Sequence, residues 1–203
     1  MKFENTCVYN IENALRGMRN PLSSWDRSDS INQNGEFIIG EADMILAKKL
    51  AAAGTEHRKF MRQIFVSVDI SAPLYWWNEF DTYKIGTTAS STSTMHTLAK
   101  FKFNLDMFER DDFAIEGDDE YWQKFISELE FLRNKYLETK DYNYFRALKQ
   151  RLPAAFIQKR TISLNYEIIL NMLKQRRTHK LREWSKDFVT WTQELPYQWL
   201  LEN

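Results

Sequence analysis

Residues 55–96 constrain the fold more than any other part of this chain. Within them, residues 65–70 alternate between apolar and polar side chains in the manner of a strand. Pro73 fits the first turn of an aromatic helix over residues 74–80. Residues 83–95 then form a segment rich in serine and threonine. The large aromatic side chains before this segment favour a binding loop on a rigid frame, and a solvated linker is the alternative.

The chain has 203 residues, which is long enough for one sizeable core. We therefore expect a single domain over residues 1–203, with residues 19–34 as a polar connection or flap. Fourteen phenylalanines and seven tryptophans suit a compact interior or an oligomer interface. The predicted class is α+β, a mixed domain of helices and antiparallel sheet in which helices dominate.

Local patterns place the remaining elements. An edge strand is predicted at residues 2–10, and extended chain at residues 154–160. Three acidic residues at 118–120 mark the start of a long helix, because carboxylates favour the positive end of the helix dipole. Thr178 is predicted to cap the last helix. The other predicted helices cover residues 41–53, 142–151, 165–173 and 178–194.

Charge and cysteine content bear on partners and compartment. The 28 cationic and 28 anionic side chains balance, so no net field draws the protein to nucleic acid or to a membrane. The single cysteine, Cys7, is expected to be a small buried residue rather than a nucleophile. Because one cysteine cannot form an intramolecular disulfide, the sequence favours a reducing compartment. The sequence has neither an apolar signal segment nor a membrane-length apolar run. We expect a cytoplasmic protein, including the cytoplasm of a host cell if the gene is viral.

The commoner catalytic motifs are absent from the sequence. There is no nucleophile elbow, no P-loop, no dinucleotide-binding glycine motif and no cysteine or histidine cluster with zinc spacing. A metal site would require His57, His96 and His179 to converge, so no metal is expected.

Two separate blocks of residues point to one family. In the first block, Glu56-His57 precedes the strand, and Ala72-Pro73 and the aromatic helix lead to Thr82-Tyr83-Lys84. The second block consists of Lys149, Leu152-Pro153, Asn165, Asn171 and Arg176. In this order and spacing, the two blocks resemble the flavin-dependent thymidylate synthase family over about residues 40–195.

The resemblance implies a mixed helical and β fold that assembles as a homotetramer. It also implies FAD as cofactor, NADPH and methylenetetrahydrofolate as co-substrates, and methylation at C5 of the pyrimidine nucleotide dUMP. Arg176 would be the catalytic residue and would hold the nucleotide together with Lys149, while Ser91 or Ser93 takes the place of a substrate-binding serine. The residues that match cofactor-binding positions are His57, Tyr83, Lys84, Asn165 and Asn171.

The chain departs from the family at its signature triplet. Thr82-Tyr83-Lys84 stands where the family has Arg-His-Arg, and Ser90 or Ser91 replaces a glutamate. Exchanging a guanidinium for an ammonium or a hydroxyl group is not conservative at a phosphate site. The sequence therefore leaves two functions open. One is an enzyme that alkylates a uracil nucleotide, and the other is a catalytically inactive relative that acts as a nucleotide-binding or protein-interaction module.

The residues singled out also have structural interpretations. His57 is either a ligand contact or a hydrogen-bonded structural histidine, and Lys84 is either a phosphate contact or an exposed loop lysine. Trp76 and Trp77 are expected in the core or at an interface rather than against a flavin. The basic residues between 174 and 182 predict a solvated face, with a nucleic acid surface as the alternative.

Overall fold

A four-stranded sheet organises the fold, which the computed structural model describes over residues 1–111 and 115–202. The order of strands across this sheet is β1-β4-β6-β5, and β2 and β3 form a separate two-stranded sheet. The predicted mixture of helices and sheet is confirmed. The strands are β1 (Lys2–Tyr9), β2 (Ile31–Gln33), β3 (Glu36–Ile38), β4 (Phe65–Pro73), β5 (Thr88–Ser91) and β6 (Ile157–Asn165).

The α-helices are α1 (Ile11–Gly17), α2 (Glu41–Ala52), α3 (Leu74–Phe80), α4 (Thr94–Thr97), α5 (Asp118–Thr139), α6 (Tyr142–Gln150), α7 (Tyr166–Arg176) and α8 (Val189–Gln193). The predicted helices that match α2, α3, α5, α6 and α7 are confirmed, whereas α1 and α4 were not predicted. Short 3-10 helices lie at Asn20–Leu22, Trp25–Arg27, Arg58–Gln63, Leu105–Met107 and Gln198–Leu201, and a π-helical turn covers Glu183–Phe188. Across residues 1–111 and 115–202, no helix is both long enough and apolar enough to cross a membrane.

The junction of β4 and α3 forms as its sequence predicts. Val66, Val68 and Ile70 are buried, whereas Phe65 on the alternate face is about half exposed. The helix begins directly after Pro73. Because proline lacks an N–H and has a fixed φ, it can end a strand and precede a helix without losing a hydrogen bond.

The two edges of the larger sheet are β1 and β5. The predicted edge strand at the N-terminus is confirmed, but Cys7 is exposed, so the expectation of a buried cysteine is wrong. The serine- and threonine-rich segment was expected to be a loop, and this is wrong for Thr88–Ser91, which forms β5. All four residues of β5 are exposed. An edge strand that is solvated in this way has no apolar alternation by which the sequence could reveal it.

Two compact units divide the chain, and the first comprises Met1–Lys2, Ile70–Thr82 and Ser90–Arg160. Trp76 and Trp77 are fully buried in this unit, which confirms that they are core residues. The predicted helix at 142–151 is confirmed as α6, and α5 begins at the predicted acidic residues. The buried cluster of this unit contains Leu98, Phe103, Phe108, Leu129, Leu132, Phe145, Leu148 and Phe156.

The second unit comprises Phe3–Asp69, Tyr83–Ala89 and Thr161–Asn203. Its helix α7 begins at a side-chain cap, because the Asn165 amide oxygen accepts the N–H of Ile168 at 3.1 Å. The helix ends at Arg176, three residues beyond the predicted end.

The final helical segment begins later than predicted. Thr178 lies in a turn and does not cap a helix, so this prediction is wrong. Helical chain resumes with the π-helical turn Glu183–Phe188. Near its start, Nδ1 of His179 accepts the N–H of Leu181 at 3.2 Å. This hydrogen bond lies one residue before Arg182, which is the N-cap position of the π-helical turn.

The segment at 19–34 includes strand β2, which its polar composition did not predict. Strands β2 and β3 pair in antiparallel register, with Gln33 opposite Glu36. The two residues between them, Asn34 and Gly35, have φ angles of 55° and 84°. An Asn-Gly pair with positive φ at both positions is the preferred two-residue hairpin turn. This dipeptide was the available sequence signal for the hairpin.

Candidate functional site

The last residue of α7 is held by aromatic side chains. Nε of Arg176 donates to the Tyr83 hydroxyl group at 2.9 Å, and that hydroxyl group donates to Oε1 of Gln175 at 2.9 Å. The guanidinium carbon lies 5.6 Å from the centre of the Tyr83 ring and 5.2 Å from that of Trp184. Both distances fall in the range of cation–π contacts. Two residues predicted from separate sequence blocks, Tyr83 and Arg176, are thus in direct contact.

A tight turn carries Tyr83 to this position. The Thr87 hydroxyl group donates to the carbonyl oxygen of Tyr83 at 2.6 Å. Gly86 has a φ of +78°, and a Cβ atom there would lie 2.7 Å from Cδ1 of Ile168 and 3.6 Å from Nδ2 of Asn165. The turn therefore packs closely against the start of α7. Any residue other than glycine at position 86 would displace the side chain of Ile168.

Lys84, another predicted cofactor contact, lies on the exposed part of this turn. Its neighbour Ile85 is 93% exposed. The basic side chains of Lys174, Arg177, Lys180 and Arg182 are likewise exposed, as expected of a solvated face.

A buried carboxylate joins α7 to the 3-10 helix Arg58–Gln63. Oε1 of Glu167 accepts from Nε of Arg58 at 3.1 Å, and Oε2 accepts from Nε of Arg62. Burial opposes ionisation of Glu167, but the hydrogen bonds from Arg62 and Arg58 hold its pKa below the usual value. Arg58 also donates to Oδ1 of Asn171 at 3.4 Å. The network therefore holds Asn171, a predicted cofactor contact, next to Arg58. Arg58 directly follows His57, a second predicted cofactor contact.

A groove of about 760 Å³ lies beside His57, which is exposed at its edge. Leu46 and Leu50 of α2 and the ring of Phe60 contribute apolar surface. Lys59 contributes a cation. A volume of this size is typical of pockets for cofactors and small molecules.

The first unit contains the remaining predicted residues. Nζ of Lys149 donates to the hydroxyl group of Thr94 in the short helix α4. Ser93 precedes this helix, and Ser91 is exposed at the end of β5. The intervening Thr92 is held to β6, because its N–H donates to the carbonyl oxygen of Lys159 at 2.9 Å.

The structure thus joins Tyr83 to Arg176 in the second unit, and it places Lys149 beside the Ser91–Ser93 segment in the first. The assignment of Arg176 and Lys149 to one nucleotide, and of Lys84 to the cofactor, stays a prediction. Among residues 1–111 and 115–202, no group of three histidine, cysteine or acidic side chains is placed to hold a metal ion.

Sequence reasoning missed the arginines of the Glu167 network and the ring of Trp184. A signal for the network was present, because Glu167 is the one carboxylate in the otherwise apolar sequence Tyr-Glu-Ile-Ile-Leu. A carboxylate on a buried face requires a cationic or hydrogen-bonding partner. Arg58 and Arg62, four residues apart, satisfy that requirement.

Solved structures of known proteins have the same fold. The chain is similar to flavin-dependent thymidylate synthase ThyX from Helicobacter pylori complexed with FAD and dUMP, with 18% sequence identity and a TM-score of 0.76. A second structure of ThyX from this organism, also with FAD and dUMP, gives 19% identity and a TM-score of 0.78. Each alignment covers 100% of this chain and 98% of the other. No family model and no curated protein matches the sequence.

Proposed function

We propose that this protein is a divergent flavin-dependent thymidylate synthase-like enzyme. Its substrate is a uracil nucleotide, dUMP, which it methylates or otherwise alkylates at C5. FAD serves as cofactor, with NADPH and methylenetetrahydrofolate as co-substrates. The observation that carries this proposal is the contact between Tyr83 and Arg176 at the end of α7. It brings together two residues that stand at the positions of separate family motifs, on a fold aligned over the full chain with structures containing FAD and dUMP.

Arg176 is suited to an anionic ligand by its charge and by its fixed orientation. A guanidinium presents N–H donors in a planar fork, and such a fork binds phosphate or a pyrimidine carbonyl with defined geometry. The Tyr83 hydroxyl group and the ring of Trp184 restrict the rotation of the side chain. We assign nucleotide binding to Arg176 and Lys149. We also assign it to Ser91 at the end of β5 and to Ser93, which precedes the residue that Lys149 contacts, Thr94.

The residues present fit a flavin. The groove beside His57 has apolar surface from Leu46, Leu50 and Phe60 for a planar ring, and Lys59 is a cation within reach of an anionic group. FAD, when bound, supplies the redox chemistry of the reaction. We assign the remaining cofactor contacts to Tyr83, Lys84, Asn165 and Asn171.

The visible absorption spectrum of the purified protein tests the cofactor assignment. We expect the spectrum of an oxidised flavin, either as purified or after FAD is added and unbound FAD is removed. Calorimetric titration with dUMP then tests the nucleotide site. A protein that remains colourless after incubation with FAD and does not bind dUMP would contradict the proposal.

A second candidate is a catalytically inactive relative that binds the nucleotide or a partner protein. The observation that favours it is Thr82-Tyr83-Lys84 in place of Arg-His-Arg, which removes two guanidinium groups. An assay for conversion of dUMP to dTMP, with FAD, NADPH and methylenetetrahydrofolate, separates the two candidates. Binding of dUMP without conversion would favour the inactive relative, and conversion would exclude it.

A further inference from the structure

None of the residue roles assigned above falls in the segment at 19–34, but a buried carboxylate, that of Asp43, holds this segment. Asp43 on α2 is 2% exposed. Its Oδ1 accepts from Nε of Arg19 at 2.5 Å. Its Oδ2 accepts from the Ser28 hydroxyl group at 2.6 Å, and from the Ser30 hydroxyl group and N–H at 2.6 Å and 3.2 Å. Burial opposes ionisation of Asp43, but the hydrogen bonds from these serines and the arginine keep its pKa below the usual value.

The segment in turn binds the first turn of α2. Oδ2 of Asp29 accepts the N–H of Ala42 at 2.8 Å, and Oδ1 accepts the N–H of Asp43 at 3.0 Å. The Ser30 hydroxyl group accepts the N–H of Gly40 at 3.0 Å. These N–H groups have no partner inside the helix, so the segment satisfies them. A Cβ atom at Gly40 would lie 2.2 Å from Cγ of Asp29, which shows how closely the two stretches approach.

The segment held in this way lines the groove beside His57. Helix α2, which carries Asp43, lines the same groove through Ala42, Leu46 and Leu50. The side chain of Asp43 does not line that groove but a neighbouring cavity of about 340 Å³. A shift of the segment relative to α2 would therefore change the dimensions of the groove. The segment contributes Arg19, Asn20, Pro21, Leu22, Ser24 and Arg27 to the groove.

We propose that Asp43 is a positioning residue that holds residues 19–34 as part of the groove beside His57. The groove's affinity for a flavin then depends on a carboxylate that does not contact the flavin. This dependence on flavin rests on the proposed function, whereas the positioning itself does not. Burying an ion pair brings a desolvation cost that an apolar pair of the same size avoids. The directional hydrogen bonds that Asp43 makes to the segment give a reason for a carboxylate at this position.

The test compares Asp43→Asn with Glu41→Gln, which removes an exposed carboxylate from the same helix. We expect Asp43→Asn to accelerate hydrogen exchange in peptides from residues 19–34 and trypsin cleavage after Arg27, the latter by about tenfold or more. We also expect the dissociation constant for FAD to rise by about tenfold. Exchange in α7 should not change, whereas a general loss of stability would accelerate exchange there too. Glu41→Gln should behave as the wild type.

A second variant, Ser28→Ala with Ser30→Ala, tests the same hypothesis if Asp43→Asn does not fold. It removes donors from the segment and leaves the pair between Arg19 and Asp43 in place. Faster exchange and cleavage confined to the segment would support the proposal. Wild-type exchange and cleavage rates in a folded variant would overturn it. If the wild-type protein does not bind FAD, the proposed function fails, and exchange and cleavage still decide whether Asp43 positions the segment.

Discussion

The orientation of Arg176 is set by Tyr83 and Trp184, which contact it through a hydroxyl group and two ring faces. A guanidinium is weakly hydrated and planar, so it can lie against an aromatic ring and still direct its N–H groups at a ligand. An ammonium group keeps the charge but has neither the planar shape nor the fork of donors. The identity of this residue as arginine is therefore as important to the proposed nucleotide site as its charge.

Replacing Arg176 should weaken dUMP binding. A hydrogen bond to a charged group contributes about 1.5–3 kcal/mol, so Arg176→Ala should raise the dissociation constant by roughly 10- to 100-fold. Arg176→Lys should recover only part of that loss, because the ammonium group cannot form the paired contacts. Calorimetric titration measures both. Arg177→Ala is the matched control, because it removes an exposed cation from the next position. Equal losses for Arg176→Ala and Arg177→Ala would contradict the assignment.

Removing the buried carboxylate of Glu167 should destabilise the fold. Glu167→Gln leaves Arg58, which is 7% exposed, without its anionic partner. Breaking a buried ion pair in this way costs about 3–5 kcal/mol. Arg62→Gln should cost less than about 1 kcal/mol, because the side chain of Arg62 is 49% exposed. Urea unfolding measures both changes, and a smaller effect for Glu167→Gln than for Arg62→Gln would refute this account.

The same carboxylate should make stability depend on pH. The pKa of Glu167 is lower in the folded protein than its usual value of 4.5, so the folded state binds a proton less readily than the unfolded state does. Its stabilising contribution is therefore complete above pH about 4.5 and is lost as the pH falls through the folded-state pKa. Urea unfolding of wild type and Glu167→Gln should show a stability difference that is large at neutral pH and narrows below pH about 4.5. A difference that stays constant into the acid range would exclude this linkage.

At the scale of elements, the turn over residues 83–87 depends on the start of α7. Gly86 supplies a positive φ and leaves room for the side chain of Ile168. Asn165 begins the helix with its side-chain cap. The position of Tyr83 is therefore decided by two elements that are far apart in the sequence and in contact in the fold.

Gly86→Ala should destabilise this arrangement more than the same change at Gly35. Both residues have positive φ, which costs an alanine about 1–2 kcal/mol. A Cβ at Gly35 meets nothing within 4 Å, whereas at Gly86 it lies 2.7 Å from Cδ1 of Ile168. Adding Ile168→Val, which removes that methyl group, should recover the difference between the two glycine variants. Thermal unfolding measures all three variants, and no recovery in the double variant would show that the collision is not the cause.

At the scale of the whole molecule, large apolar side chains remain on the surface of a single chain. Leu22, Ile85 and Phe101 are 84%, 93% and 62% exposed, respectively. Single exposed apolar residues are common, but side chains as large and as exposed as these also suit subunit interfaces. They are compatible with the homotetramer that the resemblance implies.

Light scattering coupled to size-exclusion chromatography tests the predicted assembly. A homotetramer should have about four times the 24.3 kDa mass of the chain. We expect that mass to persist when the protein is diluted through the micromolar range. A protein of one-chain mass under these conditions would show that the predicted tetramer does not form.

Much of the fold was predictable from local patterns. Val66, Val68 and Ile70 alternate as a buried strand face must, and Pro73 marks the change from strand to helix. The start of α5 was equally clear from its acidic residues. β5 was not predictable in this way, because its solvated side chains carry no periodicity. The late start of the final helical segment was not predictable either, because residues 178–182 contain no glycine or proline to indicate a break.

The amino-acid sequence determined which segments bury an apolar face and which residue types were available for an anionic ligand, because periodicity and side-chain chemistry are local properties. It also indicated Tyr83 and Arg176 as candidates. Only the tertiary structure decided that these two residues touch, that Arg58 and Arg62 share Glu167, and that Asp43 holds the polar segment before α2. Their partners lie many residues away along the chain. A contact of that kind exists only when packing brings distant side chains to hydrogen-bonding distance. The local pattern of residue types along the sequence therefore does not predict it.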